Sequence, residues 1–274
     1  YPFQVLSYVK DNCKTLVVCF GFLFLLSCEN RTQSTERELI TVFAASSLTN
    51  VFNDIGKEFE KMYPTNRIVF QFAGSSTLRM QLSEGAKSDV FASANDHQIA
   101  LAREAGVVDG EITAFATSEL TLAAYKDGPV RNLYDIAKPD IKLVGALEHV
   151  PAGAYTENFL SNLYDDNTYG PDFVAAVRKN MISKESNVRL VLGKVDLGEA
   201  DAGFVYTTDI FIRDSDNIVQ IDLPDLLSPE TVYFTSSVSN TEHEYAALLF
   251  IDFLLSERAG IIFRKHGFST VNLI

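Results

Sequence analysis

Tryptophan is absent from the 274 residues, histidine occurs only four times and cysteine only three. The cysteines, Cys13, Cys19 and Cys28, all fall in the first 28 residues. The rest of the chain therefore has no disulfide and no thiolate metal centre. Basic charge is scarce too: 23 Lys+Arg against 36 Asp+Glu give a formal charge of −13. A polyphosphate binder needs a basic face, so nucleic acid is excluded as a partner. Small anions are not, because they sense a local site rather than the net charge. Catalytic signatures are also missing. No Gly-x-Ser-x-Gly elbow, Walker A loop, His-Glu-x-x-His pair or Gly-x-Gly-x-x-Gly fingerprint occurs. His97, His149, His243 and His266 are far apart; His243 between Glu242 and Glu244 reads as a solvated face, since neighbours on a helix diverge. Apolar residues, by contrast, make up 47%, enough for a sizeable core and too many for disorder.

Residues 15–27 form an uncharged, largely apolar run after Lys10 and Lys14. It is shorter than the roughly 20 residues that span a bilayer. A basic start followed by a short apolar run reads as a secretory signal. The run ends in Leu25-Leu26-Ser27-Cys28, which resembles the bacterial lipobox and implies lipidation of Cys28. Residues 1–27 are thus expected to be a lipoprotein signal peptide, and 28–37 a polar tether. The signal carries Lys10, Lys14 and Asp11, a net +1, so the remainder carries −14.

The body alternates short β-branched runs with amphipathic stretches. Strands are expected at 39–44, 67–72, 89–92, 119–125, 143–145, 202–206, 218–221 and 230–237. Helices are expected between them, for example from Leu48 to Met62, where Val51, Phe52, Ile55 and Phe59 recur at helical spacing. The last segment, 241–266, reads as helix. Alternation of this kind predicts an α/β fold with mainly parallel sheets and right-handed crossovers. Two units emerge: lobe I from 38–117 and 237–274, lobe II from 118–236, with a cleft between them.

Three segments stand at strand-to-helix junctions, Ser46-Ser47, Ser75-Ser76-Thr77 and Glu148-His-Val-Pro-Ala-Gly153; Glu185-Ser-Asn-Val-Arg189 opens an apolar helix, and Gly203-Phe-Val-Tyr206 is a strand that ends in a phenol. A hydroxyl at such a place is first of all a helix cap. Several together on the C-terminal edge of parallel sheets offer more: free N–H groups, hydroxyls and positive dipole ends, the makings of an anion pocket.

In order and spacing these segments resemble the periplasmic molybdate-binding proteins of ABC importers, a branch of the type II solute-binding proteins. Thr41-Val-Phe-Ala-Ala-Ser-Ser-Leu-Thr-Asn50, Phe72-Ala-Gly-Ser-Ser-Thr-Leu78, Asp89-Val-Phe-Ala-Ser-Ala94 and Glu148-His-Val-Pro-Ala-Gly-Ala-Tyr155 carry the resemblance, with Asn187-Val-Arg189, Gly203-Phe-Val-Tyr206 and Phe263-Arg-Lys-His-Gly-Phe268. Ser46 stands where the family commonly has Ala, and Gly74 precedes the second serine pair; both are small. The resemblance implies a two-lobed binding-protein fold that holds a tetrahedral oxyanion, molybdate or tungstate, with neutral donors. The donors would be the Ser47 and Ser75 hydroxyls with backbone N–H groups, the Ala152 and Val188 N–H groups and the Tyr206 hydroxyl; Ser46 or Ser76 could share the role. It further implies capture rather than catalysis, no cofactor and no cation ligated by the protein. The partners would be a permease with its ATPase, and contact with the membrane would be through the lipid alone. A monomer is expected, because the lobes must open and close freely. Alternatives are sulfate as ligand, an iron carrier, for which the required tyrosine pair is lacking, and an enzyme using Ser47 with His149 as base.

Overall fold

The apolar runs and amphipathic stretches fold as strands and helices close to the expected bounds. A computed structural model describes residues 37–211 and 216–271. The expected signal peptide, Cys28 and the tether up to residue 36 lie outside the described residues.

The order is β1 (Glu38–Ala45), a 3₁₀ turn (Ser46–Leu48), α1 (Thr49–Met62), β2 (Asn66–Ala73), α2 (Ser75–Ser83), β3 (Val90–Ser93) and α3 (Asp96–Glu104). Then come β4 (Thr113–Tyr125), a 3₁₀ turn (Leu133–Ala137), β5 (Leu143–Ala146), α4 (Pro151–Asp165), α5 (Gly170–Asn180) and β6 (Met181–Glu185). The chain continues through α6 (Val188–Asp196), β7 (Ala202–Tyr206), α7 (Thr207–Phe211), β8 (Ile218–Ile221) and β9 (Glu230–Ser237). It closes with α8 (Glu244–Leu254), α9 (Glu257–Lys265) and β10 (Ser269–Thr270).

The strands join in the order β2-β1-β3-β9-β4-β7-β5-β6, with β8 and β10 added to β4. Each end of this path is parallel: β1 pairs with β2 and β3, and β5 with β6 and β7. The middle is antiparallel. β4 makes the join because its 13 residues change partners halfway: Thr113–Glu119 pairs with β9, and Leu120–Ala124 with β7. The result is an α/β architecture with two cores. One gathers residues between Leu120 and Leu223. The other draws on residues 40–116 and again on 233–268, divided between the two faces of its sheet. The division follows strand alternation: Val42 and Val90 face one way, and Phe43 and Phe91 the other.

Three readings change. Residues 230–236 were expected in the second lobe, yet β9 bonds to β3 and to the first half of β4, so the return crossing lies between β8 and β9. An apolar β-branched run signals a strand but not its partner. The terminal helix is two helices, interrupted at Leu255-Ser256, where the Ser256 hydroxyl caps α9 by accepting from Ala259 N–H at 3.2 Å. β6 was not expected at all, since Met-Ile-Ser-Lys-Glu is half polar, as suits a strand at the end of the sheet.

Phe52 is the keystone of the first core. It is fully buried and meets Phe70, Phe115 and Phe250 with ring centroids 5.7 to 6.0 Å apart, joining α1, β2, β4 and α8. Phe52→Ala should cost about 3–5 kcal/mol through lost transfer energy and the cavity left behind. Urea unfolding would measure it, and a loss below about 1 kcal/mol, the scale of a surface change, would contradict this packing.

Candidate functional site

Parallel pairing sets the C-terminal strand ends on one edge of each sheet half. β1 and β2 there lead into Ser46-Ser47 and Gly74-Ser75; β5 and β6 lead into Val150-Pro151-Ala152 and Asn187-Val188; β7 ends at Tyr206. A narrow cavity lies between the two edges, and Ser47, Ser75, Ala152, Val188 and Tyr206 all line it. Residues 159 positions apart in sequence, from Ser47 to Tyr206, thus share one hole. Its volume is about 10 Å³, counted as the space open to the centre of a water-sized sphere, which is room for about one water.

The serines do not serve as helix caps. Ala45 precedes the first turn and Gly74 precedes α2, and no side chain caps either one. Instead the oxygen of each serine is occupied from behind. Ser47 Oγ accepts from the Tyr233 hydroxyl at 3.2 Å, and Ser75 Oγ from Ala94 N–H at 3.1 Å. A hydroxyl that accepts on one side has its own hydrogen to donate on another. Ser46 lines the cavity as well; Ser76, though buried, does not.

The second edge contributes backbone. Pro151 occupies the first position of α4, where it lacks an N–H that would in any case be free, and Ala152 follows. Gly153 is required because a side chain there would run into the Leu147 carbonyl oxygen. Asn187 caps α6 by accepting from Leu190 N–H at 3.1 Å, which leaves the Val188 N–H without an intrahelical partner. Tyr206 is 1% exposed, and its hydroxyl has no hydrogen-bond partner among the described residues. Burial drives its pKa well above the ordinary phenol value, so the group stays a neutral donor.

Among the described residues, no acidic or basic side chain lines the cavity. Behind Tyr206 a charged pair offsets itself: Arg189 Nε lies 3.0 Å from Asp209 Oδ1, while Asp209 Oδ2 accepts from Tyr206 N–H at 3.2 Å. The site is therefore a convergence of neutral donors with two helix N-termini, which suits an anion without acidic hydrogens. His149, the base that an enzyme reading would need, is exposed and does not line the cavity.

The two edges also touch directly. Gln98 Nε2 on α3 donates to the His149 carbonyl at 2.8 Å, and Gln98 Oε1 accepts from Arg79 Nε at 3.0 Å. A Cβ on Gly74 would overlap the Ser186 carbonyl oxygen. A larger hollow of about 500 Å³ lies toward the opposite, N-terminal ends of β1 and β3, by Thr41 and Asp89. Its carboxylate Asp89 is already satisfied by Thr41 N–H and the Thr241 hydroxyl, and Glu242 adds a second acidic group to its lining.

Sequence reasoning missed Tyr233 and Ala94. Neither falls at a predicted helix start, and Tyr233 reaches Ser47 from 186 positions away.

The profile of the family described as bacterial extracellular solute-binding protein matches residues 40–269, and the chain belongs to this family. Among curated relatives, the molybdate-binding protein ModA of Mycobacterium tuberculosis is 32% identical over 232 residues, 84% of each chain. A putative ABC transporter substrate-binding lipoprotein of Bacillus subtilis, YvgL, is 31% identical over 261 residues, 91% of this chain and 94% of that one. The periplasmic molybdate-binding protein of Azotobacter vinelandii superposes with a TM-score of 0.73 at 18% identity, covering 85% of this chain and 100% of that one. The sulfate-binding protein SubI of M. tuberculosis superposes at 0.74 with 17% identity, covering 86% and 88%. At such identities the superpositions speak for the two-lobed fold alone.

Two buried phenols, Tyr206 and Tyr233, and the half-buried Tyr155 beside them give this region a pH signature. Burial raises Tyr155 to about 12 and carries Tyr206 and Tyr233 well above the ordinary value. The unfolded chain releases these protons near pH 10 while the folded chain keeps them. Stability from this source is complete below about pH 10 and falls as pH rises toward about 12. In an absorbance titration these three should ionise only as circular dichroism reports unfolding. Ionisation of every tyrosine near pH 10 with the fold intact would refute their burial.

Proposed function

We propose that the protein captures molybdate, and tungstate of similar size, and delivers it to an ABC permease and its ATPase. The observation that carries this reading is the convergence of the Ser47, Ser75 and Tyr206 hydroxyls with two helix N-termini on one cavity that has no charged lining. Relatives called molybdate-binding at 32% identity support the choice of ligand. The export signal and Cys28 read from the sequence support lipid anchoring outside the cytoplasm, as does the lipoprotein relative.

A donor-only site favours a fully ionised oxyanion. A protonated phosphate brings an O–H that finds no acceptor, at a cost of about 1–3 kcal/mol. Hydrogen bonds to a charged group contribute about 1.5–3 kcal/mol each, so five could reach the roughly 8 kcal/mol of micromolar binding after association costs. Sulfate is fully ionised too, so only size can exclude it. It remains the second reading because a sulfate-binding protein shares the fold.

Binding joins the lobes. Ser47 and Ser75 come from the first, and Ala152, Val188 and Tyr206 from the second, so a ligand held by all five favours closure. The present cavity has room for about one water, so a tetrahedral tetraoxyanion needs the edges slightly further apart. The Gln98–His149 bond and the Gly74–Ser186 contact join the two edges as they stand, and the chemistry is capture without a covalent step.

Calorimetry of the purified protein with molybdate, tungstate, sulfate and phosphate tests the reading. Tight one-to-one binding of the first two is expected, with Ser75→Ala weakening it by about tenfold or more. No heat with molybdate or tungstate would sink the assignment. Gly74→Ala should also weaken binding at least tenfold, because its Cβ would meet the Ser186 carbonyl oxygen across the two edges. His149→Ala should leave affinity within about twofold, because Gln98 uses the backbone carbonyl and not the imidazole; a large loss would revive a direct role for that side chain.

A further inference from the structure

Tyr233 is fully buried, lies on β9 outside the cavity lining, and donates its hydroxyl to Ser47 Oγ at 3.2 Å. Its ring is wedged edge-on against Tyr206 at 6.0 Å and Phe268 at 5.4 Å, and tilted on Phe115 at 6.2 Å. These contacts leave the phenol little freedom to swing away from Ser47.

We propose that Tyr233 is a positioning residue that fixes the direction of the Ser47 hydroxyl and thereby sets discrimination against protonated oxyanions. This rests on the oxyanion reading above. Ser47 can act as donor or acceptor. With its oxygen engaged by Tyr233, its hydrogen is committed elsewhere, and the cavity is the side it lines. Ser75 is held the same way by Ala94 N–H, a backbone group that substitution cannot delete without proline. The two serines thus share one device, and only the Ser47 version hangs on a removable atom. Burial keeps the Tyr233 phenol protonated, as a donor must be.

Removing that atom frees the Ser47 oxygen to accept. An anion carrying its own O–H, such as hydrogen phosphate or hydrogen arsenate, could then be met by a rotated Ser47. A fully ionised anion gains nothing from the change and loses the commitment of one donor. Selectivity, more than affinity, is what the Tyr233 hydroxyl controls.

The test is Tyr233→Phe, which keeps the ring and its three aromatic contacts. Dissociation constants for molybdate and for hydrogen phosphate would be measured calorimetrically in wild type, Tyr233→Phe, Ser47→Ala and the double variant, with thermal melts alongside. The molybdate-to-phosphate affinity ratio should fall about tenfold in Tyr233→Phe, the size of one hydrogen bond to a charged group. In the Ser47→Ala background the same change should leave the ratio unaltered, since the effect acts only through that oxygen. An unchanged ratio in the single variant overturns the proposal. An equal fall in both backgrounds overturns it too, because the effect would then be structural. Wild type that binds molybdate separates these failures from failure of the oxyanion reading itself, with which the proposal would also fall.

Discussion

Every buried hydroxyl has an oxygen that can accept and a hydrogen that must be given, and the site depends on settling the first so that the second points inward. Tyr233 supplies a proton to Ser47, and the Ala94 N–H supplies one to Ser75. Tyr206 has no partner among the described residues. Polarity of this kind costs little while an anion fills the hole and is costly without it, since an unmet buried polar group is penalised by about 1–3 kcal/mol. On the proposed reading, the same imbalance would favour the anion-bound form when the anion is present and an open, hydrated cleft when it is not.

That coupling works because the donors are divided between two cores joined by few strands. β4 runs from one core to the other and changes partners between Glu119 and Leu120, while the chain returns between β8 and β9. Tyr233 stands at this junction: β9 pairs with the first half of β4, yet the Tyr233 ring touches Tyr206 at the end of β7 in the second core. Tyr155 on α4 adds a contact by accepting from Val232 N–H at 3.4 Å. The tyrosines at the join thus connect hinge strands to ligand-facing groups, so a change in lobe angle is felt at the donors.

Much of this was legible in the sequence for a specific reason. Ser46-Ser47, Ser75 and Pro151-Ala152-Gly153 are local signals, each where an apolar run gives way to an amphipathic one; Asn187-Val188 is a local signal as polar residues that open an apolar helix, and parallel topology sends these helix starts to one edge. Local signals also sufficed for most strands. What they could not convey was pairing. The β9 segment reads equally well as a member of either sheet, and only the hydrogen bonds to β3 assign it to the first. The polar edge strand β6 has too little apolar character to register. Tyr233 escaped because its role comes from one contact across 186 residues, and nothing in its own surroundings, Thr-Val-Tyr-Phe-Thr, distinguishes it from a core aromatic. The capping role that serines at helix starts usually have did not materialise, because Ala45 and Gly74 hold the capping positions.

A cavity lining without a cationic side chain among the described residues suits the selection problem that the proposed ligand sets. A lysine or arginine would attract phosphate, sulfate and molybdate alike, since its pull depends on charge and distance and hardly on where a proton sits. Neutral donors fixed in direction respond to the number and placement of lone pairs, so a single acidic hydrogen on the anion converts one favourable contact into a clash of donors. The acidic body slows approach of an anion only within the screening length, about 8–10 Å at physiological salt, and hydrogen bonds inside the dry cleft are not weakened by it. The Arg189–Asp209 pair, its charges opposed and bonded to the Tyr206 N–H, holds the backbone in place without adding an uncompensated charge there. On the proposed reading, binding strength would come from burial and geometry, and specificity from the direction of individual protons.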